Sequence, residues 1–198
     1  MVKKLQAILG IDPSGNFSEG QGITGWCLMK ENGELLETGV IKAHTYHRPE
    51  EYWHGHMNMI NHFYRKYKDE MIVVIENFIL YQDKALSQSN SQMETCRLLG
   101  LLQWFLWKHN IPYSLQRATD VKHRWSDDLL AREQIIYKDR GYWKHTDSNI
   151  SLSSPHIRDA FRHAIHYCRC KNEVNTNKYN KRKGAFNNVR SNYQSRRW

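Results

Sequence analysis

Two short apolar runs, each closed by a carboxylate, constrain this chain more than any other feature. Residues 7–11 read Ala-Ile-Leu-Gly-Ile and end in Asp12; residues 71–75 read Met-Ile-Val-Val-Ile and end in Glu76. Runs of this length, rich in aliphatic and β-branched residues, are strand signals. Because both faces are apolar, each belongs inside a sheet covered on both sides. Asp12-Pro13-Ser14-Gly15 closes the first run with a turn. An acid at such a strand tip is either a turn former before proline or a group that needs a cation, a metal or a proton. A helix over 48–68 separates the two runs, so the right-handed crossover rule makes them parallel. Asp12 and Glu76 then arrive at one edge of the sheet, and that coincidence favours the second reading.

The remaining elements fit around these runs. Residues 22–28 and 35–41 are strands joined through Glu31-Asn32-Gly33, giving an antiparallel meander with the first. The helix over 48–68 opens with Pro49-Glu50-Glu51 and turns Tyr52, His56, Met59, Ile60 and Phe63 toward the sheet. Its histidines, His54, His56 and His62, lack zinc-motif spacing and read as surface and groove residues. A long helix spans 85–110, polar in its first half and apolar nearly all round over 98–107. One of its faces covers the sheet; the other is an interface or is covered by another part of the chain. A fifth strand runs over 111–115. Residues 127–140 read as a charged helix or helical hairpin. Tyr142-Trp143-Lys144-His145 is an aromatic-basic patch that serves packing or nucleic-acid contact. Ser154 as cap and Pro155 in the first turn begin a final helix with the stripe Ile157, Ala160, Phe161, Ala164, Ile165 and Cys168. The order predicts an α/β domain over 1–170, a mixed five-stranded sheet of three antiparallel and then parallel strands, flanked by helices.

Charge adds a partner class. The chain holds 29 Lys+Arg against 20 Asp+Glu, a formal +9. Residues 171–198 hold eight of the basic residues and one acid, Glu173, so this tail carries +7 and residues 1–170 carry +2. Lys181-Arg182-Lys183 lies at its centre, with Tyr179, Phe186, Tyr193 and Trp198 spaced through it. Such a segment reads as a disordered arm gripping a polyanion. No apolar run suits a membrane span, no signal-peptide core is present, and the four cysteines lack disulfide-framework spacing. The expected setting is a reducing cytoplasm. The glycine-rich loop 15–22 beside Asp12 lacks the lysine of a nucleotide-binding P-loop. Cys168-x-Cys170, with His163 and His166 on the same helix, is a poor zinc site.

His156, Asp159 and His163 fall at i, i+3 and i+7 on one face of the final helix. Alone, His156 is a satisfied helix-end histidine or a ligand; an i, i+3 pair can share one ion. Joined to Asp12 and Glu76, the pair makes a set of hard donors suited to Mg²⁺ or Mn²⁺. Two such ions, about 3.5–4 Å apart, serve phosphodiester hydrolysis. Arg117, Lys122, His123 and Arg124 cluster after the fifth strand. The basic balance supplies phosphate contacts.

These segments resemble a known family. Ile11-Asp12-Pro13-Ser14, Gly22-Ile23-Thr24-Gly25-Trp26, Val73-Val74-Ile75-Glu76, the serine-rich start of the next helix, Pro112-Tyr113-Ser114 with Ala118-Thr119-Asp120-Val121-Lys122, and His156-Ile157-Arg158-Asp159-Ala160 are similar to RuvC-type Holliday junction resolvases of the ribonuclease H-like superfamily. The match covers about residues 7–168. It departs in a longer loop after Asp12, in residues 125–152 and in the 171–198 extension, a divergence that suggests a phage or mobile-element source. The resemblance implies a metal-dependent endonuclease that resolves four-way DNA junctions by paired nicks, leaving 5′-phosphate and 3′-hydroxyl ends, and acts as a homodimer. It implies Asp12, Glu76 and Asp159 as acidic metal ligands, with His156 where many members have a fourth Asp and some have His. Two Mg²⁺ or Mn²⁺ ions would occupy each site, and Lys122 matches a basic residue near it. Phe78 or Tyr81 falls where the family places an aromatic that probes the junction. Arg117, Lys122, Arg124, Lys181, Arg182 and Lys183 are the candidate DNA-binding cations. The competing readings are a related nuclease acting on other branched DNA or on RNA, and a non-catalytic nucleic-acid-binding module.

Overall fold

The computed structural model describes residues 5–78 and 93–170. Its centre is a five-stranded sheet built from β1 (Ala7–Asp12), β2 (Ile23–Lys30), β3 (Leu35–Lys42), β4 (Met71–Asn77) and β5 (Tyr113–Arg117), in the order β3-β2-β1-β4-β5. The first three strands are antiparallel neighbours, and β1, β4 and β5 run parallel. This is the mixed sheet expected from the sequence, with the two apolar runs side by side at its middle.

Strand periodicity sorts the core into two layers. Leu9, Ile11, Val73 and Ile75 face α1 (Pro49–Tyr67) and α2 (Glu94–Lys108), packing with Ile60, Phe63, Leu98, Leu102 and Leu106. Ile8, Ile72 and Val74 face the opposite way, onto α5 (Pro155–Arg169), with Ala160, Phe161, Ala164 and Ile165. Continuing the alternation by one step puts Asp12 and Glu76 on the α5 side. Ile11 is in register with Ile75, so the two acids follow as neighbours at one sheet edge.

Two glycines let α5 lie close to that edge. A Cβ on Gly10 would collide with the carbonyl oxygen of Ala160, and one on Gly25 with the backbone of His156. Gly25 is the register partner of Asp12. The first turn of α5 therefore rests on β2 directly beside the Asp12 strand tip. Pro155 opens this helix as expected, but the Ser154 side chain makes no capping bond.

Several expectations need correction. In place of the helix expected over 127–140 stand a short helix and a strand. After α3 (Ala118–Arg124), the short α4 (Asp127–Arg132) is capped by Ser126, whose hydroxyl accepts from the Leu129 amide, and Gln134 at φ 57° ends the turn. The chain then forms a hairpin of β6 (Ile136–Asp139) and β7 (Tyr142–His145) around Arg140 and Gly141, both at positive φ. The aromatic-basic patch is strand β7. His145 in it is buried against Phe161, and Lys138 lies over the Trp143 ring. Within the helix expected over 85–110, Met93 is left-handed at φ 51°, so α2 begins at Glu94; residues 85–92 lie outside the described residues. His56 faces the sheet, as its place in the helical stripe predicts, and is wholly buried rather than a surface or groove residue. Among the described residues no helix is long and apolar enough to cross a membrane.

Candidate active site

Four elements bring ionisable groups to the edge where β1 and β4 end. Asp12 comes from β1 and Glu76 from β4. Lys122 comes from α3, and His156 and Asp159 from the first turns of α5. His156 Nδ1 lies 3.0 Å from Asp12 Oδ2. Lys122 Nζ lies 2.8 Å from Asp159 Oδ2 and 3.5 Å from Glu76 Oε2. Arg162 donates to the other oxygen of Asp159 and also to Asp127 of α4. The five site residues proposed from sequence thus fall in one cluster. Its acids are mostly sheltered, with side-chain exposures of 13% for Asp12, 18% for Glu76 and 16% for Asp159.

The charges act on one another. Burial pushes the Asp12 carboxyl above its ordinary range, and the negative charges of Glu76 and Asp159 add to this, against the hydrogen bond to His156. That same bond raises His156, outweighing the effect of its own burial. Burial is the largest single influence on the Lys122 ammonium and acts to lower it, yet Asp159, Glu76 and Asp12 together raise it. Three carboxylates and a lysine thus share a small, partly desolvated edge with a surplus of negative charge. As they stand, no three ligating side chains among the described residues are close enough to grip one ion.

The loop after Asp12 is tied down by a separate network. Ser14 donates its amide to Thr24 Oγ1 at 3.0 Å and accepts from the Tyr52 hydroxyl at 2.6 Å. His56 lies behind both, its Nδ1 2.7 Å from the Tyr52 carbonyl and its Nε2 2.8 Å from Thr24 Oγ1. Burial lowers His56 to about 4, which keeps the ring neutral at physiological pH. Further along, the amides of Phe17 and Ser18 donate to the Glu94 carboxylate, and that of Gly15 donates to Thr95. These amides of the glycine-rich loop are engaged by α2 rather than left to cradle a phosphate.

Of the candidate DNA contacts, Arg117 and Arg124 are exposed at the ends of β5 and α3, on the elements that flank Lys122. Phe78 is half-buried against the core formed with α1 and α2. Tyr81, Lys181, Arg182 and Lys183 lie outside the described residues. Sequence reasoning did not find Gln116, Arg162 or Asp127, and it placed His163 only by helical spacing. The signal for Gln116 was its position one step past Leu115, which the parallel register sets beside Glu76. Arg162 and Asp127 carried no local signal, because their pairing spans two helices.

The architecture is that of a ribonuclease H-like α/β fold with an acidic edge at its central parallel strands. No protein-family model and no curated protein matches the chain. Solved structures do match its fold. RuvC of T. thermophilus in complex with a Holliday junction substrate superposes with a TM-score of 0.58 and 14% identity, over 84% of this chain and 95% of that one. A second T. thermophilus RuvC structure gives a TM-score of 0.58 and 15% identity, over 85% and 97%. At that identity the likeness is one of fold, and the fold is RuvC-like.

Proposed function

We propose that the protein is a metal-dependent endonuclease of branched DNA that resolves four-way junctions by paired nicks. The observation that carries this reading is the gathering of Asp12, Glu76, His156 and Asp159 at the common edge of β1 and β4, with Lys122 against two of the acids. The donor set fits a hard divalent cation. Three carboxylates and an imidazole suit Mg²⁺ or Mn²⁺, and the upward pressure of Glu76 and Asp159 on Asp12 is the electrostatic surplus a dication relieves. Asp12, Glu76, His156 and Asp159 would hold such ions, two per site. When bound, the metal polarises the attacking water and steadies the leaving oxygen of a phosphodiester.

The chain's own groups do the rest. Lys122 balances Glu76 and Asp159 and offers a cation to a phosphate at the edge. Arg162, held by Asp127, fixes the orientation of Asp159. The pinned loop after Asp12 keeps the strand tip in place while DNA enters and leaves. Arg117 and Arg124 stand where they can contact phosphates on either side, and the basic tail adds sequence-independent grip. Symmetric resolution requires two copies, and α2 is the surface through which we expect them to pair. Support for a branched substrate comes from the RuvC neighbour, whose structure holds a Holliday junction substrate.

Product analysis on a panel of four-way junctions, flaps, forks, duplex and RNA–DNA hybrid tests the assignment. Paired symmetric nicks in the junction, with 5′-phosphate ends, are expected. Cleavage restricted to hybrid or flap substrates would reassign the enzyme within the same fold. Binding with no Mg²⁺- or Mn²⁺-dependent cleavage of any substrate would make it a binding module.

A further inference from the structure

Behind Glu76 stand two groups that the scheme above does not use. His163 of α5 is wholly buried; its Nε2 lies 2.9 Å from Glu76 Oε2 and its Nδ1 2.9 Å from Gln116 Oε1. Gln116 is itself buried on β5, in direct register with Glu76. His56, the other fully buried histidine at this end of the sheet, meets a backbone carbonyl, that of Tyr52, and a hydroxyl, that of Thr24. His163 instead spans from α5 to side chains on two different strands. Position 163 lies between Ala160 and Ala164, where packing on the sheet would accept an aliphatic residue.

We propose that His163 and Gln116 are positioning residues that hold the Glu76 carboxylate in place for a divalent cation. The ionised Glu76 carboxylate can only accept, so the bond between it and His163 is made by the His163 Nε2–H. Gln116 grips the far side of the ring and sets its orientation. Without that bond, Glu76 is free to swing onto Lys122, already 3.5 Å away, and the cation must first recover it. Hydrogen-bond partners behind a ligand act in this manner at metal sites, and their loss weakens metal affinity about 10–100-fold. The inference rests on Asp12, Glu76 and Asp159 being cation ligands.

Mn²⁺ titration of the full-length protein without DNA, followed by calorimetry and by the paramagnetic signal of free Mn²⁺, tests it. Variants are His163→Leu, His163→Gln and Gln116→Leu, each with a melting curve. His163→Leu is expected to bind Mn²⁺ about 10–100-fold more weakly. His163→Gln restores a donor to Glu76 and is expected to recover most of the affinity. Gln116→Leu, which keeps the ring and removes only its support, should lose a smaller factor. A folded His163→Leu protein with wild-type Mn²⁺ affinity overturns the proposal, as does His163→Gln binding no better than His163→Leu. If His163→Leu does not fold, Gln116→Leu decides, and unchanged affinity in that variant overturns it. A wild-type protein that binds no Mn²⁺ overturns the ligand assignment itself, an outcome distinct from normal wild-type binding with unaffected variants.

Discussion

Asp12 carries its charge against its surroundings. Burial above all, and then Glu76 and Asp159, raise its carboxyl. A carboxyl raised in the folded state weighs nothing while protonated and destabilises the fold once pH carries it into the ionised form. Asp12→Asn removes the charge at constant volume. It should therefore melt higher than wild type at pH 7, by on the order of 0.5–2 kcal/mol, a gain typical of relieved functional sites. The gain should shrink toward zero as pH falls below about 4, the ordinary range for Asp. Equal stability at pH 7 would contradict the field assigned to this edge. His156 works in the same direction. Its raised value contributes stability present below about pH 6.5 and lost as the ring deprotonates above it. At the glycines the effect is steric. Gly25→Ala drives a methyl into the His156 backbone, so urea unfolding should show a loss of at least about 1–3 kcal/mol. An unperturbed Gly25→Ala protein would mean that α5 does not rest on β2 as described.

Among the elements, α2 shows what sequence can and cannot place. Its apolar second half was legible, but which face is covered was not. Leu98, Leu99, Leu102 and Leu106 are buried in the sheet-facing core, while Trp104 and Trp107 stand outward at 49% and 62% exposure. Charge at Leu102 should therefore unfold the protein, and Leu102→Ala should cost about 2–5 kcal/mol. Trp104→Glu or Trp107→Glu should leave the fold intact and shift a dimer to monomer in light scattering. A dimer that survives both changes pairs elsewhere. The strands and their acids could be read because run length, period and the crossover rule all point one way. Residues 125–152 could not. Asp127–Arg132 is a true helical turn, but its stop is a left-handed Gln134, a conformation no residue type announces there. The hydrogen bonding of His56 and the role of His163 depend on Thr24, Glu76 and Gln116, partners supplied by distant strands. Local pattern carries no trace of such pairings.

For the chain as a whole, we propose that residues 171–198 add phosphate contacts and leave the chemistry to the edge at Asp12. The tail, residues 171–198, holds +7 of the formal +9, with aromatics interleaved. Deleting it should weaken binding to junction and duplex by similar factors. It should also flatten the salt dependence by several units, since each phosphate contact contributes a slope of about −0.9 in log K against log salt. Selective loss of junction binding would show instead that the tail reads branch structure. The central claim is that the edge formed by Asp12, Glu76, His156 and Asp159 is a divalent-metal nuclease site. The most direct test compares wild type and Asp12→Asn on a labelled four-way junction, under single-turnover conditions with Mg²⁺ or Mn²⁺. Wild type should make paired symmetric nicks that a chelator abolishes. Asp12→Asn should bind the junction with comparable affinity but cut about a thousandfold more slowly, the equivalent of several kcal/mol of lost metal stabilisation. An Asp12→Asn protein that nicks at nearly the wild-type rate would contradict the account.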